Sequence, residues 1–177
     1  MKTIVFTLIA CLSLTSVFSQ EENNKDVPIQ LIASGDQNTI IFQGNGSPLI
    51  NAVKTGNIKA VKILVEKGAD VNEGVKLDGS PLIEASKLGY LDIVKYLISK
   101  NANVNIHVEG DETPLIRAAW NGHLDVVKYL VEHGADINKT VREGYRLGAE
   151  KRNPLRMAKK GKHKAVIAYL ISKGATQ

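Results

Sequence analysis

Four histidines, one cysteine and scattered carboxylates are the residues of this 177-residue chain that could do chemistry. Metal binding or acid–base catalysis needs such groups at short, defined spacings. The segment HVEGDETPL comes closest, with His107, Glu109, Asp111 and Glu112 in one turn-rich stretch. A calcium loop needs more oxygen ligands in a fixed order, so the segment reads as a solvated hairpin tip. No two histidines have the i, i+4 spacing of a zinc-binding helix. His123 and His163 fall at equivalent places of a repeated pattern, which points to a structural role; His133 falls near a helix end, where a partly positive ring suits the helix dipole. Cys11, the sole cysteine, lies in an apolar N-terminal segment. There is no nucleophile elbow, phosphate-cradling glycine loop or dinucleotide fingerprint. The expectation is a non-enzyme with no cofactor, no metal and no small-molecule substrate.

The segment that holds Cys11 has its own reading. Lys2, an apolar run from Ile4 to Leu14 and a small-residue site at Val17-Phe18-Ser19 form a secretory signal over 1–19. The run is short for a bilayer span, so the mature chain is expected to have none. A lipid attachment at Cys11 would leave a leader with a very short apolar core. Export to the periplasm or the medium follows, with a leader that resembles a bacterial one. Residues 20–26, QEENNKD, are polar and expected to be disordered. The mature chain then has no cysteine, which rules out a disulfide framework and thiol chemistry. Charge is polarised: Gln20–Glu150 holds 14 Lys and Arg against 18 Asp and Glu, whereas Lys151–Gln177 holds eight Lys and Arg and no acid. Asn138-Lys139-Thr140 matches a glycosylation acceptor, which matters only in a eukaryotic host.

The elements that position these residues repeat. Pro48, Pro81 and Pro114 are 33 residues apart, and Pro154 follows after 40. Ser47, Ser80, Thr113 and Asn153 precede them, and each residue type can cap a helix N-terminus. Proline then takes the first helical position, where its missing N–H does no harm. A short helix with small residues follows (Ala52, Ala85, Ala118 with Ala119, Ala158), ending at Gly56, Gly89 and Gly122. A second helix carries apolar stripes at helical spacing: Val61, Leu64 and Val65; Val94, Leu97 and Ile98; Val126, Val127, Leu130 and Val131. Gly68, Asn101, Gly134 and Gly174 close the second helices, with Asn the next best residue to Gly at that cap. Asp70, Asn103 and Asp136 read as turn formers.

On its TPL start, GHLDVVKYL middle and GADIN end, this unit resembles the ankyrin repeat. The resemblance implies an all-α solenoid of stacked helix-turn-helix units with β-hairpin-like connectors. Units fall at 47–79, 80–112, 113–152 (with an extended connector) and 153–177 (a C-terminal cap). Residues 27–46 are expected to form a truncated capping repeat. Ile50, Ile83, Ile116 and Arg156 replace the family's usual TPLH histidine, a change bearing on stability. In the last unit, Lys162 aligns with the helix-ending glycine and Gly161 stands one place earlier.

The resemblance further implies a protein partner held on the concave surface, through first-helix ends and connector tips. Carried over position by position, the candidates are Lys54 and Thr55, Lys87 and Leu88, Trp120 and Asn121, Lys160 with Gly161, and Lys76, Leu77, Glu109 and Glu112 on the connectors. Trp120, the only tryptophan, is a favoured hot-spot type. The connector at 137–153 is longer by seven residues than its counterparts. It is expected to form a lengthened hairpin or loop, with Arg142, Tyr145 and Arg146 as interface-favoured types. The leading expectation is an exported, monomeric protein-binding scaffold, in concrete form an inhibitor, protector or immunity partner of another exported protein. The alternative is binding of nucleic acid or an anionic surface through Lys151, Arg152, Arg156, Lys159, Lys160, Lys162 and Lys164. No aromatic residue interleaves with these cations, which disfavours nucleic acid.

Overall fold

The computed structural model describes residues 47–76, 78–108, 112–142 and 151–176. The expected signal, the 20–26 segment, the 27–46 cap, Leu77, Glu109, Tyr145 and Arg146 lie outside the described residues. Eight helices are described, in four pairs: α1 (Pro48–Lys54) with α2 (Ile58–Glu66), α3 (Pro81–Leu88) with α4 (Leu91–Ser99), α5 (Pro114–Asn121) with α6 (Leu124–Glu132), and α7 (Pro154–Lys160) with α8 (Lys164–Ser172).

Each first helix starts as its sequence dictates. Ser47, Ser80, Thr113 and Asn153 accept hydrogen bonds from the backbone N–H of Ile50, Ile83, Ile116 and Arg156 at 3.3, 3.3, 3.4 and 2.8 Å. That satisfies one orphan donor at each helix start, and proline removes another.

These helices stack in one layer, α1 on α3 on α5 on α7, and the second helices stack in another. Ala52, Ala85, Ala118 and Ala158 are fully buried where the first layer packs, and their small side chains are what allow it. In the first two units the buried stripe begins one position before the expected one, at Ala60 and Ile93, whereas Val61, Val94, Leu97, Val126, Val127 and Leu130 are buried as the spacing suggests. Leu64, Val65, Ile98 and Val131 are only half-buried. The core thus lies between the two layers, and the partly covered residues pack along its edge.

Two polar ladders tie unit to unit. Asn103 N–H donates to Asn72 Oδ1 at 2.7 Å, Asp136 N–H to Asn105 Oδ1 at 2.8 Å, and Thr176 N–H to Asn138 Oδ1 at 2.8 Å. Asp70, Asn103 and Asp136 each accept from the N–H two residues on, at 2.8, 2.9 and 3.0 Å, so they are turn formers. Asn138, the acceptor of the glycosylation pattern, also directs Nδ2 at Gly174 O, 3.5 Å away. A glycan on that nitrogen would have to displace the bridge.

The second ladder uses the repeated histidines. His123 Nε2 lies 3.0 Å from Lys87 O, and His163 Nε2 lies 2.8 Å from Trp120 O. Facing a carbonyl, each ring nitrogen must carry the proton. The ring passes so close to the glycine of the preceding unit that a Cβ on Gly122 would lie 2.4 Å from His163 Nδ1. Gly122 is also left-handed, at φ 79, so two separate constraints demand glycine there.

The last unit divides those constraints between two residues. Gly161 has ordinary helical φ, −76, yet its Cβ would stand 2.7 Å from Trp120 O. Lys162 takes the left-handed conformation, at φ 60, as does Asn101 at φ 65. The expected Asn cap therefore forms, and a lysine accepts the strained place that glycine holds elsewhere.

Candidate functional site

The expected contact positions lie at the ends of the first helices and along the connectors. Lys54, Thr55, Lys76, Asn121, Arg142 and Lys160 are exposed, while Lys87, Leu88 and Trp120 are half-buried. Several are already held locally. Lys54 forms an ion pair with Asp78 across the connector. Thr55 Oγ1 donates to Ala52 O at 2.9 Å, and Asn121 Nδ2 donates to Arg117 O at 2.9 Å. Lys87 Nζ sits 3.0 Å from the carboxylate of Glu84, a buried residue one turn away.

Glu112 corrects an expectation. Placed by its sequence on a solvated tip, it is 4% exposed. Arg152 Nη1 donates to its Oε1 at 2.7 Å, and Arg117 Nε approaches Oε2 at 3.6 Å. Glu112 and Arg152 each precede the capping residue of their unit, and stacking brings those two places together. A carboxylate between two guanidinium groups tolerates burial that a lone one would not. Glu112 is thus a structural strut and leaves the set of contact candidates.

Trp120 belongs to the same arrangement. Its ring packs against Ile116, Val141 and Met157, a small apolar cluster apart from the main core. The Arg152 guanidinium carbon and Lys160 Nζ stand 6.0 and 5.2 Å from the ring centroid. Both distances suit cation–π attraction. The tryptophan is therefore a packing post for the long connector as well as a surface residue, and its partners are the third unit, the connector and α7.

The long connector is a hairpin in its stem. Strand β1 (Val141–Arg142) pairs antiparallel with β2 (Lys151–Arg152), with Val141 opposite Arg152 and Arg142 opposite Lys151. In the first connector, Val75 and Gly79 form an antiparallel bridge. Val141 turns into the Trp120 cluster and is buried, whereas Arg142 points out; alternation along a strand requires this.

Outside that stem lies an open cleft of about 740 Å³, lined by Thr140, Arg142, Lys151, Asn153, Arg156 and Lys159. The basic run at 151–164 signals part of it. Thr140 and Asn153 carry no such signal, because only the pairing of β1 with β2 brings them alongside. Among the described residues no group of three His, Cys, Asp or Glu is placed to hold a metal ion. None of the described helices is long and apolar enough to cross a membrane.

A family model described as ankyrin repeats in three copies matches residues 17–108 and again 74–141. A second, described as ankyrin repeats in many copies, matches 121–171. No curated protein matches the chain.

Proposed function

Since the chain belongs to the ankyrin repeat family, whose repeats indicate a protein–protein interaction scaffold, we propose that this protein is exported and acts as a monomer on another exported protein, as its inhibitor, protector or immunity partner. Ankyrin repeat proteins are generally non-enzymatic interaction modules, and no catalysis is assigned to this one.

One observation carries the binding reading. The frame is constant from unit to unit, whereas the pair of residues it presents at each first-helix end changes, with lysine at the first place in three units and tryptophan in the third, and a different residue at the second place in all four. Lys54, Lys87, Trp120 and Lys160 share one position, and Thr55, Leu88, Asn121 and Gly161 share the next. A row that varies on an invariant support presents a particular chemistry to a partner, as concave repeat surfaces do. With Lys76 and Arg142 these residues form the contact set. Support for export is the leader and the absence of cysteine from residue 12 onward, which suits an oxidising compartment.

The test is affinity capture from the native compartment with the chain starting at Gln20. A chain carrying Leu88→Asp and Asn121→Ala should recover its partner at least tenfold less well, with an unchanged urea midpoint. Equal recovery by both chains would sink the concave-row reading. Fractionation that finds only uncleaved precursor in the cytoplasm would sink the export reading. Nucleic-acid binding is the alternative, favoured by the seven cations at 151–164; tight, salt-dependent binding of a nucleic acid with no protein captured would put it first.

A further inference from the structure

The second helices present one line of positions toward the next unit. Lys62 Nζ and Lys95 Nζ each stand 5.7 Å from a tyrosine ring of the following unit, Tyr96 and Tyr129. The residues one place earlier, Val61, Val94 and Val127, are 0% exposed. In α8 these two places hold Ala168 and Ile167. Ile171 takes the place of Val65, Ile98 and Val131, which are half-buried. α8 stacks on α6, and its other side is open: Ile167 is half-buried, Ala168 is exposed, and Ile171 is 54% exposed.

An open end of a repeat stack calls for a polar outer face. α8 does the reverse. Lys95 and Lys128 give way to Ala168, and Asp92 and Asp125 give way to Ala165. The helix is left without charge from Ala165 to Ser172, and cations stand at its two ends. Lys164 opens it where Leu91 and Leu124 open α4 and α6, and Lys173 follows it; both lysines are exposed. The helix dipole opposes a cation in the first turn and favours the acids that α4 and α6 carry there. Lys164 is therefore not placed for helix stability, and Ala168 is not placed for solubility. By helical spacing Lys164, Ile167, Ala168 and Ile171 share one face.

We propose that this face of α8 rests on an anionic lipid surface, with Ile167, Ala168 and Ile171 at the boundary of head groups and acyl chains and with Lys164 and Lys173 among the lipid phosphates. The inference does not depend on the scaffold reading above. A second copy set face to face would bring two basic ends together, since residues 139–177, connector included, hold 11 Lys and Arg against two acids. The same imbalance draws this end toward an anionic surface. A helix of nine residues spans about 13 Å, which is small beside the ~800 Å² that each partner buries in a standard protein interface. A lipid surface needs no matching shape. Its binding adds apolar contact to charge attraction, and α8 supplies both.

The experiment mixes the chain from Gln20 with vesicles of equal parts phosphatidylglycerol and phosphatidylcholine, and reads the bound fraction by flotation. Binding that weakens with added salt is expected, with little on vesicles of phosphatidylcholine alone. Ile171→Ser should weaken it by about fivefold or more and leave the urea midpoint level, because the side chain is largely in solvent. Lys164→Gln should cost about fivefold. Lys59→Gln, an exposed lysine at the opposite end of the stack, should cost less than about twofold. Vesicles left unbound, Ile171→Ser binding them as tightly as the parent, or Lys59→Gln losing as much as Lys164→Gln would each overturn the proposal. So would a protein captured by the parent and lost with Ile171→Ser from a chain that leaves vesicles unbound, which would give the face to a protein.

Discussion

Ile116 and Ala119 of the third unit, and Arg156 and Lys159 of the fourth, occupy the same two places of one repeated helix. The first pair is sealed from solvent. The second is charged and exposed. The helices that carry them begin alike, with a side-chain cap and a proline. What differs is the neighbour: α5 has α7 stacked on it, and α7 packs on α5 and α8. In a solenoid a position is core or surface according to whether another unit covers it. A terminal unit is therefore free to replace packing with charge.

The strongest way to break this comparison is to put the fourth unit's residue into the third. Ile116→Arg would bury an unpaired cation against Val141, Met157 and Trp120. A loss of about 4 kcal/mol or more is expected, read as a lower urea midpoint. A change under about 1 kcal/mol would mean that the interface between the last two units opens easily.

Removing the strut comes next. Glu112→Ala leaves Arg152 and Arg117 together without their carboxylate, at a cost of about 3 kcal/mol. Trp120 fluorescence should move with it, because Arg152 also covers that ring. An unperturbed emission spectrum in the folded variant would detach Trp120 from this network.

A smaller effect tests the histidine ladder. His163→Ala removes the donor to Trp120 O and should cost about 1–2 kcal/mol. His123→Ala, which removes the bond to Lys87 O, should cost about as much. A marked difference would mean that the terminal unit is held by other means.

The least effect is a gain. Lys162 carries the left-handed strain that Gly122 carries freely in the preceding unit. Lys162→Gly should stabilise by about 0.5–1 kcal/mol, since relief of about 1–2 kcal/mol exceeds the entropic cost of glycine. Thermal denaturation would show it, and a destabilised variant would mean that the lysine side chain contributes contacts outweighing its strain.

Much of the frame was legible in the sequence. Ser47, Ser80, Thr113 and Asn153 cap within three residues of themselves, and Asn101 adopts the left-handed cap its residue type allows. These are local properties, decided by neighbours along the chain. In the first two units the second-helix stripe was read without its first member, Ala60 or Ile93, because Val65 and Ile98 at its far edge are equally apolar. Only the packing shows which of them face the other layer.

The candidate site was less legible. Glu112 looked like a solvated acid in an acidic turn, and its partner Arg152 is 40 residues away. Trp120 looked like a free surface anchor, and its neighbours come from the same helix, a connector strand and the next unit. The sequence by itself determined the repeat, its caps, its turns and the polarity of charge along the chain, because each depends on residue type and spacing. Tertiary structure alone decided that Glu112 is a strut and Trp120 a post. It also decided that Arg142, Lys151, Arg156 and Lys159 share one cleft. Stacking and strand pairing bring together side chains whose separation along the chain carries no record of their meeting.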